Sequence, residues 1–299
     1  MSQSVVSGPY VAPKAQALLL VLGAVMLWGF APIGNRYFIG NGNLAMPGAA
    51  YMALRYGIAT ICFFPGLLAA IRRWSIQDWL RGAVCGLTGV AAYNLLGGIA
   101  GRTVSAGMTG LLNASESLMI LVVACFMARR IPNGRTLMAA ILGLAGIVLL
   151  ASSAGPAEGN VSGILMLLGG ALGWAIYCVL IPPLISKHGV LQSSAVTMTI
   201  GTLPLLLAGW PDLGIMIAKM THQDWELLVM LAIGSSVVAL LAWNQGVALL
   251  GAQTAGWFLY LLPLFSALGG RLLLNEPLTL AELAGGTMIL GSVYFAHRH

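Results

Sequence analysis

Eight carboxylates occur in this 299-residue chain, and Glu116 alone stands in the middle of a long apolar stretch, within the run Asn113-Ala114-Ser115-Glu116-Ser117. A carboxylate so placed can exchange a proton, can hold an ammonium group, or is a structural group satisfied by Asn113, Ser115 or Ser117. Arg55 is the base well inside an apolar stretch. It could bind a carboxylate, pair with Glu116, or extend its guanidinium to the nearer interface. Asn94 and Asn244 sit in similar settings, Ala92-Tyr93-Asn94 and Ala242-Trp243-Asn244, as gate or cavity candidates or as partners in interhelical amide bonds worth about 0.6 kcal/mol. Around these polar groups stand Trp28, Tyr93, Trp174, Tyr177, Trp243, Trp257 and Tyr260, whose rings offer flat apolar walls to a bulky ligand. Trp74, Trp79, Trp210 and Trp225 read instead as anchors at helix ends.

This set suits binding better than bond chemistry. There is no His-Glu-x-x-His, no Gly-x-Ser-x-Gly turn and no phosphate-binding Gly-rich loop ending in Lys-Ser/Thr. Cys62, Cys85, Cys125 and Cys178 fall in apolar stretches without zinc spacing. The chain is therefore expected to be no enzyme, to use no cofactor or metal, and to hydrolyse no ATP.

The elements that position these residues follow from hydropathy. Apolar stretches lie at about 16–35, 49–71, 79–101, 105–128, 134–152, 161–183, 191–209, 225–247, 252–273 and 278–296, each near the roughly 20 residues that a helix needs to cross a bilayer. With 59% hydrophobic and 7% charged residues and a mean hydropathy of +0.92, a water-soluble fold is excluded. The first stretch lacks a small-residue cleavage site and is expected to be retained. Glu116 then lies about 16 Å deep, near the midplane of a hydrocarbon core of about 30 Å. A carboxylate there costs roughly 2.5–3.5 kcal/mol and should face water or a partner. Arg55, about 9 Å deep, is offset from it by roughly 7 Å along the membrane normal.

The net charge of +6 encodes orientation and does not point to nucleic acid. With both termini cytoplasmic, Lys14, Arg72, Arg73, Arg81, Arg129, Arg130, Arg135, Lys187 and Arg298 fall inside, against Arg36, Arg102, Lys219 and Arg271 outside. That asymmetry satisfies the positive-inside rule.

The first five stretches are echoed by the last five. Trp28 and Trp174 are 146 residues apart, Asn94 and Asn244 are 150 apart, and Thr109/Thr254, Pro132/Pro277 and Gly146/Gly291 are each 145 apart. Five is odd, so the halves, residues 1–155 and 156–299, would enter the membrane in opposite senses, an arrangement suggestive of transporters. The run Thr254-Ala255 through Pro263, then Gly269-Gly270, Asn275-Glu276-Pro277-Leu278-Thr279, Gly286 and Gly291, resembles the closing half of EamA-type members of the drug/metabolite transporter superfamily. Leu27-Trp28-Gly29-Phe30 is similar to their opening motif. Leu118 stands where a counterpart of Pro263 would fall, and Ile131 where an acidic residue would.

The resemblance implies an all-α integral membrane protein of ten transmembrane helices, two inverted-topology five-helix repeats around a central cavity. It also implies export of amino acids, including aromatic ones, or related small metabolites across a bacterial cytoplasmic membrane by alternating access. A multidrug or toxic-cation exporter is the alternative. Together, the residues and the resemblance make Trp28, Arg55, Tyr93, Asn94, Asn113, Glu116, Trp174, Tyr177, Trp243, Asn244 and Tyr260 the expected binding and cavity residues. Pro263 is the expected hinge. The partners are a small-molecule substrate and the lipid bilayer; the sequence leaves the oligomeric state open.

Overall fold

A computed structural model describes residues 12–39, 46–100, 104, 106–151, 160–274 and 279–297. Arg102, Arg298 and the motif at 275–278 lie outside the described residues, as do the side chains of Arg36, Thr109, Gly269, Gly270 and Arg271. Among the described residues the chain is all helical, with no strand. In lipid only a helix satisfies its own backbone donors and acceptors within one segment.

The helices are α1 (Ala12–Ile39), α2 (Gly48–Ile71), α3 (Ile76–Ala100), α4 (Ala106–Ala128), α5 (Gly134–Ala151), α6 (Val161–Leu180), α7 (Pro182–Lys219) and α8 (His222–Leu250). They are followed by α9, which joins Ala252–Gly256, a 3-10 turn Trp257–Leu261 and Leu262–Leu274, and by α10 (Leu280–His297). Among the described residues six candidate membrane spans are long and apolar enough to cross a bilayer: Lys14–Ala31 within α1, then α2, α3, α6, α7 and α8. Shorter apolar runs occupy Ser115–Ala128, Gly134–Leu149 and Leu283–Ala296.

The expected seventh span, about 191–209, is the middle of a longer element. α7 runs 38 residues and breaks at Gly189, whose φ of 81° and ψ of 161° interrupt the helix. Only glycine adopts that backbone readily, so residues 184–188, expected in the connection after the sixth span, belong to a helical segment that starts at Pro182 and is set off from the span.

α3 and α8 are built alike. Each opens with a capping box, Ser75 with Asp78 and Thr221 with Asp224, in which side chain and backbone satisfy each other's orphan groups. Each then passes through a π-helical turn, Gly86–Ala92 and Ala232–Val238. Caps and turns are both 146 residues apart, and both caps read Gln-Asp-Trp in their first turn. A π-turn inserts one residue into the helix and so rotates the face presented after it.

The main helix contacts pair α2 with α7, α5 with α10, α1 with α8 and α9, and α6 with α3 and α4, while α3 touches α7 and α2 touches α8. Adding five to each label maps these pairings onto one another. Glycine sets the tightest approaches: a Cβ on Gly201 of α7 would lie 2.4 Å from the Gly86 carbonyl oxygen, and one on Gly146 of α5 would lie 2.7 Å from that of Gly285.

Candidate functional site

Three tryptophans meet where α1, α6 and α8 converge. The Trp28 ring lies 5.5 Å from Trp174, edge to face, and 5.4 Å from Trp243, while Trp174 and Trp243 are 6.0 Å apart. Tyr177 stacks on Trp174 at 5.1 Å, and Tyr93 of α3 reaches it at 5.7 Å. The spacing of Trp174 and Tyr177 along α6 puts both rings on one helix face. Trp243 and Tyr177 have no exposed surface and Trp28 is half-buried, and these rings, expected to line a cavity, pack on one another as a cluster. Packing favours this because ring pairs at such distances add about 0.5–1.5 kcal/mol each beyond burial. The Trp28 Nε1 donates to the Ser235 carbonyl at 2.8 Å. The Trp174 Nε1 is buried with no hydrogen-bond partner, and a donor left so costs roughly 1–3 kcal/mol.

Glu116 is buried on α4 and accepts a hydrogen bond from the Tyr93 hydroxyl at 2.8 Å. Asn113 lies one turn before it, half-buried. Arg55 is also buried, and its Nε donates to Ser236 Oγ at 3.0 Å and its Nη2 to Ser235 Oγ, with the guanidinium 5.6 Å from the Tyr56 ring. Glu116 and Arg55, considered as a pair from their depths, are thus held by different partners. The reason lies in packing: α2 lies chiefly on α7 and also meets α8, whereas α4 lies on α6, α9 and α5. Arg55 does not extend to the interface either; the second π-turn receives it.

Asn94 and Asn244 serve different neighbours. Asn94 accepts from the Tyr56 hydroxyl at 3.0 Å and donates to the Val90 carbonyl at 2.7 Å. Asn244 is fully buried, donating to the Tyr177 hydroxyl at 2.7 Å and to Ser194 Oγ at 2.8 Å. The expectation that they occupy corresponding sites needs correction: at the 146-residue offset of caps and π-turns, Asn94 matches Leu240, and Asn244 lies one turn further on. Tyr260 also departs from its expected place. Its ring packs over Gly143 of α5, 2.6 Å from where a Cβ would be, and its hydroxyl is buried without a partner. Pro263 is the second residue of the final segment of α9, directly after the 3-10 turn. It lacks the N–H that would bond one turn back. Trp74, expected at the headgroups, is buried and stacks on His188 at 4.7 Å.

Sequence reasoning missed Ser235, Ser236 and Ser194; Ser117, considered there as a partner of Glu116, instead donates its hydroxyl to the Gly256 carbonyl at 2.8 Å and so ties α4 to α9 beside Glu116. A hydroxyl pair inside an apolar helix, as in Gly234-Ser235-Ser236, was the available signal. At the start of α3, Asp78 accepts from Lys187 at 2.7 Å and lies 3.0 Å from His188, while at the start of α8 Asp224 accepts from Tyr37 at 2.6 Å.

The EamA-like transporter family matches the chain twice, over residues 15–152 and 161–297. An uncharacterized transporter of Archaeoglobus fulgidus is 26% identical over 279 residues, covering 92% of this chain and 96% of that protein. A probable terminal-alkyne amino-acid exporter of Streptantibioticus cattleyicolor is 23% identical over 291 residues, covering 95% and 94%. A solved crystal structure aligns with a TM-score of 0.73 at 20% identity over 95% of this chain and 97% of that one, a likeness of fold. With the EamA domain present twice, and with its apolar helices enclosing buried polar and aromatic groups, this integral membrane protein belongs to the EamA-like transporter family.

Proposed function

We propose that this transporter exports amino acids with aromatic or bulky apolar side chains, or closely related metabolites, by alternating access between two inverted five-helix halves, residues 1–155 and 156–299. The observation that carries this reading is the joining of the Trp28, Trp174 and Trp243 plug to Glu116 through Tyr93. When the rings part, the walls of the resulting cavity are aromatic, Glu116 offers a carboxylate to an ammonium group or a proton, and the partnerless Trp174 Nε1 offers a donor to a carboxylate. A zwitterion with a flat side chain matches all three. The printed function of the Streptantibioticus relative, amino-acid export, lends support. The pairings that map onto one another when five is added to each helix label support the inverted halves, and a closed plug is what an occluded stage of the cycle requires.

The test is flux in proteoliposomes with a panel of labelled amino acids, with and without a pH gradient. Saturable counterflow of aromatic or bulky apolar amino acids, competed by zwitterions, supports the reading. Competition by lipophilic cations alone moves it to a toxic-cation exporter, and absence of flux for either class rejects it. In a bacterial cytoplasmic membrane both termini are expected inside, so a reporter active only in the cytoplasm should give signal when fused after residue 299. Signal from an extracytoplasmic reporter alone rejects that orientation.

A further inference from the structure

Tyr93 is the contact through which Glu116 and the tryptophans meet, and its place on α3 gives it a further part. Its hydroxyl is 2.8 Å from Glu116 Oε1, and its ring is 5.7 Å from Trp174. Trp174 in turn touches Trp28 and Trp243, and Trp28 is tied to the second π-turn at the Ser235 carbonyl. Tyr93 is also the residue that follows the first π-turn, Gly86–Ala92, so a change in that turn would rotate it directly. One side chain thus touches both the buried carboxylate and the ring plug.

We infer that Tyr93 is the positioning residue that couples the charge of Glu116 to the aromatic plug, a proposal that rests on Glu116 taking up positive charge during transport. An ionised carboxylate is a much stronger acceptor than a neutral carboxyl group. While Glu116 is charged, the Tyr93 hydroxyl is held and its ring keeps Trp174 in the plug. When Glu116 takes a proton, that hydroxyl is held less firmly and the plug loses one of its fixed walls. Near this pair stand Tyr56 of α2, which bonds Asn94 and faces Tyr93, and the Cys178 thiol of α6, which faces both. α5 and α9, also packed on α4, contribute Arg135 at the start of α5 and Tyr260 over Gly143.

The experiment is acrylamide quenching of tryptophan emission across a pH series, run alongside flux in proteoliposomes. A Trp74→Phe background is used, because Trp74 stacks on His188 at 4.7 Å, apart from the tryptophans being read. Quenching should rise as pH falls in the parent protein. In Tyr93→Phe, which keeps the ring and deletes the hydroxyl, quenching should be high and independent of pH, with the pH response of flux reduced about tenfold or more, the worth of a hydrogen bond to a charged group. Glu116→Gln should show the same flat, high quenching, and Tyr56→Phe, an equal deletion on the Asn94 side, should keep the parental pH response. Parental pH dependence in a folded Tyr93→Phe, or in Glu116→Gln should Tyr93→Phe not fold, overturns the coupling while leaving the transport reading intact. Absence of flux in the parent rejects the transport reading on its own.

Discussion

The π-turns of α3 and α8 begin eleven residues after matching cap residues, Ser75 and Thr221, yet they are packed by opposite means. Around the first, glycines let the chains close tightly: a Cβ on Gly86 would lie 2.5 Å from the Thr197 carbonyl oxygen, one on Gly89 2.5 Å from the Tyr177 side chain, and one on Gly173 2.6 Å from the Thr88 carbonyl oxygen. Around the second, the residues 146 positions on from Gly89 and Val90 are Ser235 and Ser236, and they accept hydrogen bonds from Arg55. The residue 146 positions on from Arg55 is Gly201, which closes on the first turn. One crossing is therefore sterically close-packed, while the other is polar and held by hydrogen bonds. The same backbone device is thus packed through glycines in one half and through hydroxyls in the other.

The harshest way to break this contrast is Gly201→Leu. Its side chain has no space beside Gly86 and Val90, and overpacking of this kind costs about 1–3 kcal/mol, and more where the backbone itself is met. Loss of monodisperse protein in size-exclusion chromatography is expected, and a normal Tm would show that the crossing is not close-packed. Next comes Ser235→Ala with Ser236→Ala, which leaves buried guanidinium donors without these acceptors, at roughly 1–3 kcal/mol each. The Tm should fall, a loss with no counterpart in the first turn, where the matching residues Gly89 and Val90 carry no hydroxyl. Ser75→Ala and Thr221→Ala should each cost about 1 kcal/mol, and equally, because the two boxes share their geometry at 3.3 and 3.4 Å. Unequal Tm shifts would sharpen the asymmetry toward the helix starts.

Smaller still is Gly234→Ala in the second π-turn, where a Cβ meets nothing within 4 Å. Helix propensity should then raise stability by up to about 1 kcal/mol, whereas Gly89→Ala in the first turn should lower it. Pro263 offers the last test, since Leu118 stands 145 residues before it in the regular helix α4. Pro263→Ala should leave a folded protein of nearly unchanged Tm with slower export. Unchanged flux together with a higher Tm would remove the hinge.

Much of this was legible in the sequence. Apolar run length announced the helices, and the offset between Trp28 and Trp174 already held the 146-residue register. The Gln-Asp-Trp repeat at the caps carried the same register more clearly, and it was masked by the looser match of Asn94 with Asn244. Burial of Glu116 followed from its depth. What could not be read was its partner, because depth along the membrane normal fixes one coordinate and leaves rotation and neighbour order open.

Composition and hydropathy by themselves determined an all-helical membrane protein, because lipid admits few ways to satisfy a backbone. The approximate helix limits and the presence of costly polar groups inside followed as well. Only the tertiary structure decided that Arg55 meets serines, that Glu116 meets Tyr93, that Tyr260 faces α5, and that the tryptophans close on each other. Each of those choices depends on which helix lies beside which and on how a π-turn rotates the face that follows it. Apolar helices look alike to a hydropathy scale, and the close approaches that select their neighbours are set by single glycines and hydroxyls distributed across distant parts of the chain.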